Sequence, residues 1–207
     1  MSLTFDDGPH PVATRNVLDA LDRAGVRATF FITGECAQAN PDVVRDIAAR
    51  GHEIGGHGFS HRYPWKTGPA ATIRDLRKSA RALAPFETGS RKLFRPPYGK
   101  LNLAGLLYLL WTGRELVFWT LDSEDYRAPD PREVVWAVEA GLKRGEVVLM
   151  HDNRRRSGSD PQVTVAALEA ILAFIAEKRF RVVPVGELMA EARTGREKVR
   201  LNRIQVS

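Results

Sequence analysis

The 207-residue chain carries a single cysteine, Cys36, so no internal disulfide can form and cysteine usage leaves the redox compartment open. Its place near a predicted helix start gives it a packing role. No stretch approaches the roughly 18 consecutive apolar residues that a membrane helix needs. The N-terminus also lacks the charged start, apolar core and small-residue cleavage site of an export signal. Linkers, internal repeats and low-complexity blocks are absent too, so one domain is expected at this length. Acidic residues fall short of basic ones, 25 against 31, for a net charge of +6. Much of that excess sits in Arg154 to Arg156 and in the C-terminal "RTGREKVRLNR". No aromatic residues interleave with these basic runs, so nucleic-acid binding is not expected and solvated loops account for them.

What is present is regular alternation. Val17, Leu18, Leu21 and Ala24 keep helical spacing after the opening "SLTF", and Gly25 ends that helix. "VRATFFIT" reads as a strand. "NPDVVRDIAARG" reads as a helix with Asn40 as N-cap and Pro41 at its first position. "HEIGG" is a strand, and "PAATIRDLRKSARALA" a helix with Ile73, Leu76, Ala80 and Leu83 on one face. "KLFR", "ELVFWTLD", "EVVLM" and "FRVVPV" follow as strands separated by helices. Seven strand–helix units imply parallel strands with helical crossovers, in an open doubly wound sheet or a closed barrel.

Polar residues just after the strands separate these two architectures. Asp6 and Asp7 follow the first strand, His57 and His61 the third, Arg95 the fourth, Asp122 and Asp125 the fifth, and His151 and Asp152 the sixth. Five strand ends converge more readily at one barrel mouth than in the crevice of an open sheet. His57 and His61, four residues apart, can close on one ion if their loop takes a helical turn. With a carboxylate from another strand end they make a two-His-one-Asp site with positions left for water and substrate. That donor set suits zinc hydrolysis or a non-haem iron oxygenase, and the α/β pattern favours zinc or another Lewis-acidic divalent ion. His151 needs an orienting partner, and Asp125 can supply it. Arg95 can pair with one of the opening aspartates. The Pro96-Pro97 pair stiffens a turn able to aim a backbone N–H at developing negative charge.

Taken together, "TFDDG" (4 to 8), "HGFSH" (57 to 61), "RPPYG" (95 to 99), "DSEDY" (122 to 126) and "LMHD" (149 to 152) resemble the five ordered motifs of the polysaccharide deacetylase family, the NodB-homology domain or carbohydrate esterase family 4. The resemblance runs over about residues 2 to 190. It implies an α/β fold, a distorted (β/α) barrel of seven or eight units, with a catalytic domain over 1–190 and a basic tail over 191–207. It implies Asp7, His57 and His61 as metal ligands, zinc as the usual ion and cobalt(II) as another that would serve. Asp6 would be the general base, Arg95 its partner, and His151 the general acid oriented by Asp125. The Tyr98 backbone N–H would stabilise the oxyanion.

The implied substrate is an acetylated carbohydrate losing an N-acetyl or O-acetyl group, an N-acetylglucosamine-containing polysaccharide such as peptidoglycan or a chitin-like glycan, with Tyr126 and Pro97 in contact with it; Arg154, on the basic loop that leaves the mouth directly after Asp152, is expected to meet an anionic or phosphorylated part of the substrate. Two positions depart from the family pattern. Gly58 replaces a Ser or Thr whose hydrogen bond steadies the histidine loop, and Tyr126 replaces a Trp. Relatives that deformylate lipid-linked amino sugars or open cyclic amides, and inactive glycan-binding relatives, are the rival readings. The first strand, "SLTF", is short for a barrel, which raises the expectation that residues ahead of Met1, with any export signal, are missing.

Overall fold

The computed structural model describes residues 1–87, 91–153 and 161–204, with the last helix described by its backbone alone from residue 195. Its seven strands are β1 (Ser2–Asp6), β2 (Thr29–Ile32), β3 (Glu53–Gly56), β4 (Leu93–Phe94), β5 (Glu115–Leu116), β6 (Leu121–Asp122) and β7 (Val147–His151). They form one parallel sheet in the order β5-β4-β3-β2-β1-β7-β6. The helices are α1 (Ala13–Arg23), α2 (Gly34–Ala39), α3 (Pro41–Ala49), α4 (Pro69–Leu83), α5 (Leu103–Trp111), α6 (Pro131–Gly141), α7 (Gln162–Glu177) and α8 (Val185–Ile204). None among the described residues is long and apolar enough to cross a membrane.

The two edge strands, β5 and β6, are neighbours in sequence. Val117 N–H donates to Phe94 O on one edge, and Thr120 N–H donates to Val147 O on the other. The expected strand "ELVFWTLD" therefore divides: its first half pairs with β4 and its second with β7, so residues 117–120 span the gap of a curled, distorted barrel. "FRVVPV" forms no strand. Both sides of β1 are already taken by β2 and β7, and residues 181–183 instead cap its start, where Val183 N–H donates to Met1 O. The count of seven strands survives with a changed membership.

Parallel strands covered on both faces read as buried runs, and every residue of β1 and β2 is buried. Phe5 and Phe30 stack at 5.1 Å between ring centroids, and Val17, Leu18 and Leu21 of α1 pack against the same core. Gly55 leaves room on β3, where a Cβ would lie 2.6 Å from the Phe31 ring. Phe31 in turn supplies the surface on which Arg95 rests. The buried face of α4 is Thr72, Leu76, Ser79 and Leu83, rotated from the expected Ile73 and Ala80. Asn40 is the residue before α3, but its amide donates to Cys36 O and so closes α2 behind it, a short helix that the sequence reading did not resolve. Cys36 lies in α2, half-buried. The backbone of α8 runs on past residue 190, across the expected start of the basic tail.

Candidate active site

β1 delivers Asp6 and Asp7 to the mouth, and the backbone turns sharply between them. Asp6 ends the strand, whereas Asp7 has φ 73°, in the left-handed region that is rare for non-glycine residues. His61 (φ 51°) and Tyr98 (φ 59°) share that conformation. Backbone held this way costs free energy and concentrates where geometry is functional. The loop 57–61 does not take a helical turn. Gly58 (φ 73°) and His61 bend it so that the two imidazoles converge, with centroids 5.1 Å apart.

Arg95 organises the centre. It is wholly buried, its guanidinium 4.2 Å from the Phe31 ring centroid and 5.8 Å from that of Trp119. One of its nitrogens donates to Asp6 Oδ1 (2.8 Å) and to Thr4 Oγ1 (2.7 Å). Burying this cation is tolerable because its counter-charge is held at hydrogen-bond distance. Of the two opening aspartates, Arg95 therefore takes Asp6, leaving Asp6 Oδ2 3.7 Å from His57 Nε2.

Asp7, His57 and His61 each present a ligand atom within 4.8 Å of the others. His57 Nδ1 lies 2.8 Å from the backbone carbonyl of Arg95. A carbonyl only accepts, so Nδ1 carries a proton, and in its neutral form the ring turns a bare Nε2 lone pair toward Asp7 Oδ1, 3.4 Å away. His61 Nε2 lies 3.1 Å from the same oxygen. That oxygen is buried without a hydrogen-bond partner among the described residues. Lone pairs facing one another across a buried gap are unfavourable unless a positive charge sits between them. Burial works against the Asp7 anion, yet the imidazoles of His57, His61 and His151 around it bring its carboxyl down to about 2. Burial opposes the His57 cation as well, and Asp6 and Asp7 still raise its pKa. At His61 burial prevails, and the pKa falls to about 4. One carboxylate and two imidazoles thus fit a divalent ion such as zinc.

His151 stands at the end of β7. Its Nδ1 is 2.7 Å from Asp125 Oδ1, and Asp125 Oδ2 accepts from the His151 N–H (2.7 Å) and from Thr164 Oγ1 (2.6 Å). Burial lowers the imidazole pKa, but Asp125 overcomes it and holds His151 up to about 9. Tyr126 sets its ring edge against His151 at 5.7 Å. Pro97 is buried at the opposite turn, and the Tyr98 ring packs 4.5 Å from His61. The Tyr98 N–H donates to no backbone carbonyl among the described residues. Asp122 accepts from the Glu124 N–H and shapes the turn ahead of Asp125. Asp152 is buried with Thr14 donating to it at 2.5 Å, and burial pushes its carboxyl up to about 7. Arg154, with Arg155 and Arg156, lies outside the described residues.

The sequence reading missed Asp75. From α4 its carboxylate accepts from the Phe59 N–H (2.8 Å), the Ser60 N–H (3.3 Å) and Ser60 Oγ (2.7 Å). It clamps the histidine loop from below, while the Gly58 and Phe59 carbonyls accept from the start of α2. A Cβ at Gly58 would lie 3.3 Å from Asp75 Oδ2. Within "IRDLRKS" this aspartate looks like one more charge on a solvated face, so only the rotation of α4 reveals it.

The family model for polysaccharide deacetylase matches residues 1–110. A peptidoglycan-N-acetylglucosamine deacetylase of Bacillus cereus is 35% identical, over 91% of this chain and 87% of that protein. A chitooligosaccharide deacetylase of Bradyrhizobium is 31% identical, over 90% of this chain and 89% of that protein. Among solved structures, a family 4 carbohydrate esterase from Streptomyces lividans in complex with acetate superposes with a TM-score of 0.77 at 34% identity, covering 89% of this chain and 90% of that one. Peptidoglycan deacetylase PdaC from Bacillus subtilis reaches 0.84 at 27% identity, covering 98% and 95%. By family model, by sequence and by fold, the chain belongs to the polysaccharide deacetylase family.

Proposed function

We propose that this protein is a divalent-cation-dependent N-deacetylase that hydrolyses the acetamide of an amino sugar within a glycan, releasing acetate and a free amine. Family membership makes it a carbohydrate deacetylase. The observation that carries the finer reading is the unpartnered, buried Asp7 Oδ1 facing His57 Nε2 and His61 Nε2. Zinc is the expected ion, with cobalt(II) as a substitute. Bound by these three residues, such an ion would polarise the acetyl carbonyl and lower the pKa of water toward about 7.

The remaining steps belong to the chain's own groups. Asp6, anchored through Oδ1 by Arg95, takes a proton from water at Oδ2. The Tyr98 N–H donates to the oxyanion that develops on the acetyl oxygen. His151, its Nδ1 fixed by Asp125, carries a proton on Nε2 and hands it to the departing amine, which is too basic to leave unprotonated. A pKa raised to about 9 keeps that proton in place at neutral pH. Tyr126 and Pro97 border the sugar. Acetate release from chitotetraose by chelator-treated protein, with and without added zinc, tests the reading. Zinc-dependent acetate is expected, and no acetate at any zinc level would refute it.

A further inference from the structure

The outer surface of α4 and α5 takes no part in the chemistry at the mouth, and its composition is unusual for a surface. Apart from the Tyr108 hydroxyl, no side chain of α5 is polar. A helix that is apolar all round belongs in a core or in lipid. Yet only Gly105 and Leu109 are fully buried, whereas Leu103, Leu107, Leu110 and Trp111 are 57–81% exposed. These four share the face opposite the side that packs on α4. On that packed side a Cβ at Gly105 would lie 3.3 Å from Thr72 Cγ2, and Leu109 clusters with Leu76. Trp65, its Nε1 donating to Leu101 O at 3.1 Å, stands at the head of α5 and adds a second exposed indole. Contiguous apolar surface of this kind marks a place where something docks.

The neighbouring helix says what. Arg74, Arg77, Lys78 and Arg81 lie on the exposed side of α4 at i, i+3, i+4 and i+7. None forms an ion pair with a carboxylate among the described residues. On α1, by contrast, both arginines are paired, Arg15 with Asp42 and Asp46 and Arg23 with Glu169. Residues 62–114 hold eleven Lys and Arg against two carboxylates, a net +9 in a chain whose total is +6, so the remainder is net acidic. Both carboxylates are engaged, Asp75 with the histidine loop and Arg62, and Glu87 with Arg114. Arg95 is neutralised internally by Asp6 and Arg91 by Glu115, which leaves the α4 ridge as free positive charge.

We propose that the α4–α5 face docks this protein on an anionic phospholipid surface. Leu107, Leu110 and Trp111 enter the interface, and the α4 cations meet the headgroups. An interfacial amphipathic helix combines these two properties on one cylinder, and here they are divided between adjacent ones. Tryptophan suits that boundary because its ring is apolar at one end and hydrogen-bonding at the other. A second copy of the chain is the poorer occupant, since a two-fold contact through α5 brings the same basic ridge to both sides. The inference is independent of the deacetylase reading.

Flotation of the folded full chain with vesicles of phosphatidylglycerol and phosphatidylcholine, against vesicles of phosphatidylcholine alone, tests it. Binding is expected to the anionic vesicles only, with a blue shift of tryptophan emission. Arg77→Gln with Arg81→Gln should weaken it by at least about tenfold, since each cation at an anionic surface contributes about fivefold. Leu107→Ser with Trp111→Ser should abolish the emission shift and weaken binding at every salt concentration. All four side chains are exposed, so circular dichroism should show both variants folded. No binding to either vesicle, equal binding to both, or binding that survives either paired change overturns the proposal. So does concentration-dependent dimerisation that the Leu107→Ser, Trp111→Ser variant loses, which would give the face to a second copy.

Discussion

His57 Nδ1 donates to the backbone carbonyl of Arg95 at 2.8 Å, while the guanidinium of the same Arg95 holds Asp6 Oδ1 at 2.8 Å. One residue therefore fixes the tautomer of a proposed ligand and the orientation of the proposed base. The carbonyl is available because Pro96 and Pro97 hold the next turn away from regular pairing. Partners that orient ligating histidines are worth about 10- to 100-fold in metal affinity. The contacts of Arg95 would couple the proposed metal site to the proposed base through one wholly buried side chain.

Asp75 is predicted to position the histidine loop. Asp75→Ala removes three acceptor contacts from residues 59 and 60, and zinc affinity should fall by about 10- to 100-fold. Asp75→Asn, which keeps one acceptor oxygen, should lose less. Competition with a chromophoric chelator measures the affinity, and circular dichroism separates loop loosening from unfolding. Unchanged affinity in the folded Ala variant would show that the clamp is dispensable.

The His151–Asp125 pair predicts a pH signature. Burial alone would depress the imidazole, and Asp125 reverses this to about 9. Because the folded value exceeds the free value of about 6.5, the pair stabilises the fold fully below pH ~6.5 and that contribution is lost as pH rises through about 9. In Asp125→Asn, burial is left unopposed by this carboxylate and the His151 pKa should drop, taking the alkaline limb of the rate profile with it. NMR titration of the ion-free protein reads the shift directly. An unchanged His151 titration in the variant would contradict the assigned partner.

Much of this was legible because the chemistry-bearing residues follow strand ends, and period-3.6 helices between them imply parallel strands. "ELVFWTLD" was harder, since both halves have the same strand composition and only the closing curvature assigns them to opposite edges. Asp6 and Asp7 are not separated by strand alternation alone. The left-handed turn at Asp7 does it, and nothing in "TFDDG" except the following Gly-Pro hints at such a turn. The motif residues could be located without coordinates, whereas Asp75, Thr164 and the hydrogen bond between Thr4 and Arg95 could not. Their roles depend on helix rotation and strand register, which bring partners 15 to 91 positions apart into contact.

The account turns on the division of labour between two adjacent carboxylates, and the same isosteric change made at each tests it. Zinc content and acetate release should be measured on identical samples of wild type, Asp6→Asn and Asp7→Asn. Asp6→Asn is predicted to keep about one zinc per chain while turnover falls by about 10² to 10⁴, and Asp7→Asn to lose the zinc itself. Equal loss of metal in both variants, or full turnover in Asp6→Asn, would contradict it.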